Sequence, residues 1–207
     1  MPDTPQIAVS PNNPCPFLRA LVAHGYVGGH VVPLSRLCEI IEAASGKQGA
    51  EKIKAGMATY GIAVIANGPT HVPLSALSGA VLDELRNGPL DKHGAGSRIL
   101  DANAHVHEDE IERLATFGKE CRDPSGQSER GLTAKEIDTF MAANLERAKD
   151  QAHWYYPYMM KGEWPILLDI LGKGEGDERY LSVAEVRTLF VDHRLPDRIT
   201  ARLPAPG

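Results

Sequence analysis

The sequence has few cysteines, and they do not form recognisable metal-binding pairs. Its 207 residues include three, Cys15, Cys38 and Cys121. An odd and low count argues against a disulfide framework. No two of them have the Cys-x-x-Cys spacing, which argues against a zinc site with sulfur ligands.

Three other features are missing. No segment approaches the ~18 apolar residues in a row that a membrane-spanning helix needs, so we expect no membrane partner. Residues 1–6 have neither a basic nor an apolar stretch, so they do not resemble a signal peptide and we expect a cytoplasmic protein. The net charge is −5, and without a basic stripe we expect no nucleic-acid partner.

What the sequence does have is apolar residues at helical spacing, interrupted by glycine and proline. We therefore predict an all-α fold, a single compact helical domain with few or no strands at 14–200. An extended lead-in (1–13) precedes this domain and a C-terminal tail (201–207) follows it. The first predicted helix begins at Pro16 and ends at His24-Gly25-Tyr26. Further helices are predicted at 35–41, 48–66, 74–85, from 107 onward, and at 134–154, 162–171 and 183–191. Residues 118–131 are predicted to form a loop.

Two of these helix starts carry capping signals. Thr133 is followed three residues later by Glu136, which predicts a capping box. Ser182 is predicted to cap the last long helix, because a serine oxygen can accept a hydrogen bond from the first free amides.

Cys15 lies between Pro14 and Pro16 at a predicted helix start. Free amides and the helix dipole stabilise a thiolate there. Pro16 has a helical φ and donates no N–H, so the amides of Phe17 and Leu18 can point at the sulfur. A thiolate in this setting can ligate a metal. A buried, inert cysteine is the alternative, and it is our interpretation of Cys38 and Cys121.

The stretch Pro14–Tyr26 resembles the proximal motif of the haem-thiolate peroxidases, the family of fungal chloroperoxidase and the unspecific peroxygenases. That motif is close to P-C-P-x-L-N-x-L-A-N-H-G-Y, and Arg19 and Ala23 replace two of its asparagines. Three further blocks are similar to family segments in the same order: Leu90–Gly94 to a K-H-G stretch, 162–172 to G-E-x-A with its helix, and Phe190–Pro196 to F-F-x-x-E-R-L-P.

The resemblance implies a helical domain that encloses a haem b. Cys15 would be the axial ligand of the haem iron, with Phe17 and Leu18 against the haem face. It also implies an oxidoreductase, a peroxidase or peroxygenase, that uses hydrogen peroxide to oxidise or oxygenate a small organic substrate.

The distal motif departs from the family pattern, which is E-H-D-x-S or E-G-D-x-S and holds magnesium through its first acid. The best match is Leu100–His105, in which Asp101 replaces the glutamate and is the candidate ligand for Mg²⁺. Ala102 stands at the catalytic histidine, and His105 replaces the serine. A shifted alignment instead places His105 or His107 in the catalytic role, and an imidazole is a poor ligand for Mg²⁺.

The second distal group should come from the helix predicted at 134–154. Glu146 and Asp150 lie four residues apart, on one face of that helix. Together with His105 they are the candidate catalytic residues, and an exposed surface pair is the alternative for the two acids. Because the distal motif is altered, two other functions remain open: a haem-thiolate tailoring enzyme with different chemistry, and a haem-binding sensor or carrier without turnover.

Overall fold

The computed structural model describes residues 8–46, 79–87, 96–150 and 163–206. The chain divides into two compact units, unit 1 (residues 1–90 and 193–207) and unit 2 (residues 91–192). Several sequence predictions lie outside the described residues: the helix at 48–66, the first part (74–78) of the helix at 74–85, the block at 90–94, and residues 151–162. The described remainder of the helix predicted at 74–85 is not α-helical, because it forms a short strand at Ala80–Val81 and a 3₁₀ turn at Leu82–Asn87.

The described part contains both helices and strands. The helices are α1 (Pro16–Ala23), α2 (Leu34–Ser45), α3 (Glu108–Phe117), α4 (Ala134–Arg147), α5 (Glu163–Leu171), α6 (Val183–Val191) and α7 (Asp197–Thr200), with 3₁₀ turns at Leu82–Asn87 and Gly176–Glu178. The strands are β1 (Val31–Val32), β2 (Ala80–Val81), β3 (Lys119–Arg122), β4 (Ser128–Thr133) and β5 (Tyr180–Ser182).

The strands form two antiparallel sheets, one of β1 and β2 and one in the order β3-β4-β5. The prediction of an all-α fold with few or no strands is therefore wrong. The main error was β3 and β4, which occupy most of the loop predicted at 118–131. Because the outer half of β4 is polar and largely exposed and its inner half is buried, it lacks the strict alternation that identifies a strand in a sequence.

Unit 1 is built around α1 and α2. The helix α1 starts at Pro16 and stops as predicted. Gly25 has a φ of +72°. Its N–H donates to the carbonyl of Val22 at 3.0 Å, and the N–H of Tyr26 donates to the carbonyl of Leu21 at 2.9 Å. These two bonds are a Schellman motif. The apolar side chains that are fully buried here include Phe17, Leu21, Ile40, Leu82 and Ile199.

Unit 2 packs its helices against the three-stranded sheet and around an aromatic core. Phe140 on α4 meets Trp164 on α5 edge to face, with ring centroids 5.1 Å apart. Trp164 in turn stacks on Phe190 of α6 at 6.4 Å. Gly131 lies under Tyr180, and a Cβ atom at this position would come within 2.3 Å of the tyrosine ring. The close contact between β4 and β5 therefore requires a glycine.

Both predicted caps in unit 2 are confirmed. Thr133 and Glu136 form a capping box at the start of α4, and the Ser182 hydroxyl accepts from the Glu185 N–H at the start of α6. Over the described ranges, none of the helices is both long and apolar enough to cross a membrane.

Candidate functional site

Cys15 is the N-cap residue of α1, as the sequence predicts. Its backbone is extended, with φ −79° and ψ 112°, and Pro16 is the first helical residue. The N–H of Cys15 donates to the side-chain oxygen of Asn13 at 3.2 Å. The half-buried Cys15 side chain forms no capping hydrogen bond with α1.

A buried arginine lies one helical turn after Cys15. Arg19 is 5% exposed, and its guanidinium donates to the carbonyls of Ser10 at 3.0 Å and Asn13 at 3.2 Å. These bonds fix the end of the lead-in segment against α1. Among the described residues, the Nε of Arg19 and the side-chain nitrogen of Asn13 are buried without a hydrogen-bond partner.

The charge of Arg19 acts on Cys15. Burial lowers the pKa of Arg19 and the nearby Arg86 lowers it further, whereas a negative Cys15 raises it. Because electrostatic coupling between two groups is reciprocal, Arg19 favours the thiolate form of Cys15. Sequence reasoning noted Arg19 only as a departure from the family motif. The sequence signal that could have identified Arg19 as a site residue is an arginine among apolar helix positions, four residues after the cysteine.

The residues around Cys15 fit a thiolate that would hold a haem iron. A half-buried thiol at a helix start, next to a buried guanidinium, is the electropositive setting in which cysteine ionises readily. The two expected haem-contacting side chains differ in exposure. Phe17 is packed into the core of unit 1, whereas Leu18 is half-buried, so Leu18 retains side-chain surface for a ligand.

The structure brings together Asp101, His105 and His107 in a tight loop of unit 2. One oxygen of Asp101 accepts the backbone N–H groups of Asn103 at 2.7 Å and His105 at 2.9 Å. The other lies 3.3 Å from Nδ1 of His105 and 3.8 Å from Nε2 of His107. The N–H of His105 is the main cause that lowers the pKa of Asp101, and the N–H of Asn103 lowers it further.

This loop does not fit a magnesium ion. Mg²⁺ prefers oxygen ligands in near-octahedral geometry, but the Asp101 carboxylate faces two backbone amides and two imidazoles. Within the described ranges, no group of three or more His, Cys, Asp or Glu side chains is arranged to hold a metal.

Glu146 and Asp150 lie at the surface of unit 2. The Glu146 side chain is 71% exposed and pairs with Lys149 at 2.6 Å. The helix α4 ends at Arg147, so Asp150 lies beyond it and the two acids do not share a helix face. Sequence periodicity overextended this helix because residues 148–150 form a turn.

A half-buried polar cluster between α3 and α4 was missed by sequence reasoning. Arg147 donates to one oxygen of Glu110 at 2.6 Å, and Arg113 donates to the side-chain oxygen of Asn144 at 2.7 Å. The Glu110 side chain is only 15% exposed. Its second oxygen is buried and has no hydrogen-bond partner. We call these four residues the Glu110 cluster.

The carboxylate of Glu110 is held by both arginines of the Glu110 cluster. One oxygen of Glu110 accepts a hydrogen bond from Arg147, and the other is buried and lies 3.7 Å from the guanidinium of Arg113. The charges of Arg147 and Arg113 oppose each other: burial lowers the pKa of Arg113, and Arg147 lowers it further. Glu110 offsets part of this repulsion, so the cluster holds one carboxylate between two guanidinium groups.

In comparisons with protein-family models, with curated proteins and with solved structures, the chain matches none of them.

Proposed function

We propose that this protein is a haem-thiolate oxidoreductase that uses hydrogen peroxide to oxidise or oxygenate a small organic molecule in the cytoplasm. The observation that supports this best is Cys15 at the N-cap of α1, with the buried Arg19 one turn away. This is the electrostatic setting that a thiolate ligand needs, at the position that resembles the family's proximal motif.

Each residue near Cys15 has a part in this proposal. Cys15 would bind the iron, Arg19 would keep the sulfur ionised, and Asn13 orients the Cys15 backbone by accepting its N–H at 3.2 Å. Leu18 provides apolar surface for the ligand. A bound haem would supply the redox chemistry, in which thiolate donation favours cleavage of the O–O bond of peroxide.

Cleavage of peroxide also needs a group that takes and returns a proton. His105 remains a candidate, since an imidazole can exchange protons near neutral pH. Glu146 and Asp150 are the other two candidates for this role. The Glu146 carboxylate is paired with Lys149 in solvent.

The ligand is tested by the spectrum of the haem-reconstituted protein after reduction and addition of carbon monoxide. We expect a Soret band at the position typical of thiolate-ligated haem, and we expect Cys15→Ala to abolish it. Cys38→Ala is the matched control, because Cys38 is also half-buried but burial raises its pKa. A Cys15→Ala protein that keeps the band would refute the proposal.

The reaction is tested in the same holoprotein by peroxide-dependent oxidation of a generic dye. We expect His105→Ala to lower kcat about 10²-fold with the Soret band unchanged. A holoprotein with the thiolate spectrum and no dye oxidation would favour the tailoring enzyme or the sensor and carrier instead.

A further inference from the structure

Unit 2 contains two helix–loop–helix segments that face each other through their loops. The first runs from α3 to α4 and the second from α5 to α6. Their loops are joined where β4 pairs with β5, with Leu132 directly opposite Leu181. A glutamate follows each leucine by four residues, Glu136 in the first segment and Glu185 in the second. This is the topology of a pair of EF-hands, whose 12-residue loops end in a glutamate that binds Ca²⁺.

Neither loop has the complete set of residues that a calcium loop has. Calcium loops carry oxygen ligands at positions 1, 3 and 5 and a glycine at position 6. We number each loop back from its glutamate, Glu136 or Glu185, as position 12. In the first loop, positions 1, 3, 5 and 6 are Ser125, Gln127, Glu129 and Arg130. In the second loop, they are Gly174, Gly176, Glu178 and Arg179. Glu136 is also engaged, because its carboxylate accepts the N–H of Thr133 at 3.1 Å.

A cation nevertheless lies between the loops. The ammonium of Lys173 is 2.7 Å from an oxygen of Glu129 and 3.2 Å from an oxygen of Glu185, and the Lys173 side chain is 14% exposed. Glu129 occupies position 5 of the first loop and Glu185 position 12 of the second. The ammonium therefore joins two acidic positions that serve as Ca²⁺ ligands in functional loops.

Two hydroxyl groups also donate hydrogen bonds to the carboxylate of Glu129. The Tyr180 hydroxyl donates to one of its oxygens at 2.6 Å and the Ser182 hydroxyl to the other at 2.7 Å. Burial alone would raise the pKa of Glu129, but the bonds from Lys173, Ser182 and Tyr180 outweigh it and lower the pKa. Burial alone would lower the pKa of Lys173, but its two carboxylate partners raise it. Both groups are therefore charged at neutral pH.

We propose that the Lys173 ammonium is a built-in substitute for a divalent cation, which holds the paired loops of unit 2 together without a metal. This explains why two loops without a calcium ligand set still pair across β4 and β5. A direct consequence is that removing the ammonium leaves Glu129 and Glu185 as two facing carboxylates. The resulting site can then accept a Ca²⁺ ion.

The test is the thermal unfolding of Lys173→Met, which keeps the apolar stem and removes the charge. Tryptophan fluorescence reports on unit 2, because both tryptophans lie within residues 91–192. We expect the Tm to fall by roughly 5–15 °C, since an ion pair with little exposure has lost one partner. We expect about 10 mM CaCl₂, which exceeds the Kd of weak calcium sites, to restore at least half of the loss.

Controls separate a specific ion from general screening. Wild type should show no Tm response to CaCl₂, and Lys149→Met, which removes an exposed partner of Glu146, should lose less than ~2 °C. NaCl at the same ionic strength should not rescue Lys173→Met. Equal rescue by NaCl, no rescue by CaCl₂, or a rise in the wild-type Tm with CaCl₂ would each overturn the proposal.

A second variant keeps the test decisive if Lys173→Met does not fold in the absence of metal. In the double variant Lys173→Met with Glu185→Gln, one carboxylate is removed together with the ammonium, so the repulsion is relieved. We expect it to fold without metal and to show no response to CaCl₂. A calcium response of the double variant equal to that of the single variant would show that Glu185 is not a ligand and would overturn the proposal.

Discussion

At the scale of single residues, the buried Arg19 interacts electrostatically with Cys15. Replacing it by glutamine removes a buried positive charge one turn from the sulfur. We expect the rate of Cys15 alkylation by iodoacetamide at pH 7 to fall roughly tenfold, the effect of about one pKa unit on the thiolate fraction. The rate is measured by mass spectrometry of the peptide that carries Cys15.

Arg19→Lys is the matched control for this experiment. It keeps the charge but loses the two-carbonyl contact of the guanidinium with Ser10 and Asn13. We expect its alkylation rate to stay within about threefold of wild type. An equal decrease in both variants would show that packing of the lead-in segment, and not charge, controls the reactivity of Cys15.

Residue by residue, the candidate site could be predicted only where its determinants are local. The N-cap position of Cys15 follows from Pro16 and the apolar spacing after it. The burial of Arg19 does not, because arginine is rarely buried unless it is paired, and its partners are backbone carbonyls. Glu110 was missed because the arginine that fixes it, Arg147, is 37 residues away in sequence.

At the scale of elements, Glu129 links β4 to β5 and should make this junction sensitive to acid. Its pKa is lower in the folded state than the ordinary value of 4.5. The unfolded chain therefore binds the proton more tightly, and stability is lost as the pH falls through the folded pKa. We expect the Tm of unit 2 to decrease below pH 4.5, and Glu129→Gln to flatten that decrease.

The matched control for this pH profile is Glu120→Gln on β3. Glu120 also accepts a serine hydroxyl, from Ser128 at 2.6 Å, but at an exposed position. We expect this variant to keep the wild-type pH profile, measured by tryptophan fluorescence. A profile that changes as much in Glu120→Gln as in Glu129→Gln would contradict the assignment of the acid sensitivity to the β4–β5 junction.

The helices of unit 2 were easier to predict than its strands for a physical reason. Capping boxes and serine caps involve residues three positions apart, so Thr133, Glu136 and Ser182 identify the helix starts in the sequence. The strand β5 has only three residues, all of them buried, and pairs with a segment nearly 50 residues earlier. Such pairing depends on tertiary contacts, which a local sequence pattern does not reveal.

At the scale of the whole molecule, the sequence predicts one domain over 14–200, whereas the contacts divide the chain into two units. Each unit has its own buried core, so we expect each to unfold as its own cooperative block. Both tryptophans lie within unit 2, so fluorescence follows that unit, while circular dichroism follows the helices of both. Glu129→Gln, in unit 2, should therefore shift the fluorescence transition at neutral pH. Arg19→Gln, in unit 1, should shift a transition that circular dichroism detects and fluorescence does not. If both variants shift both signals by the same amount, the chain unfolds as a single cooperative block and the expectation of independent units is wrong.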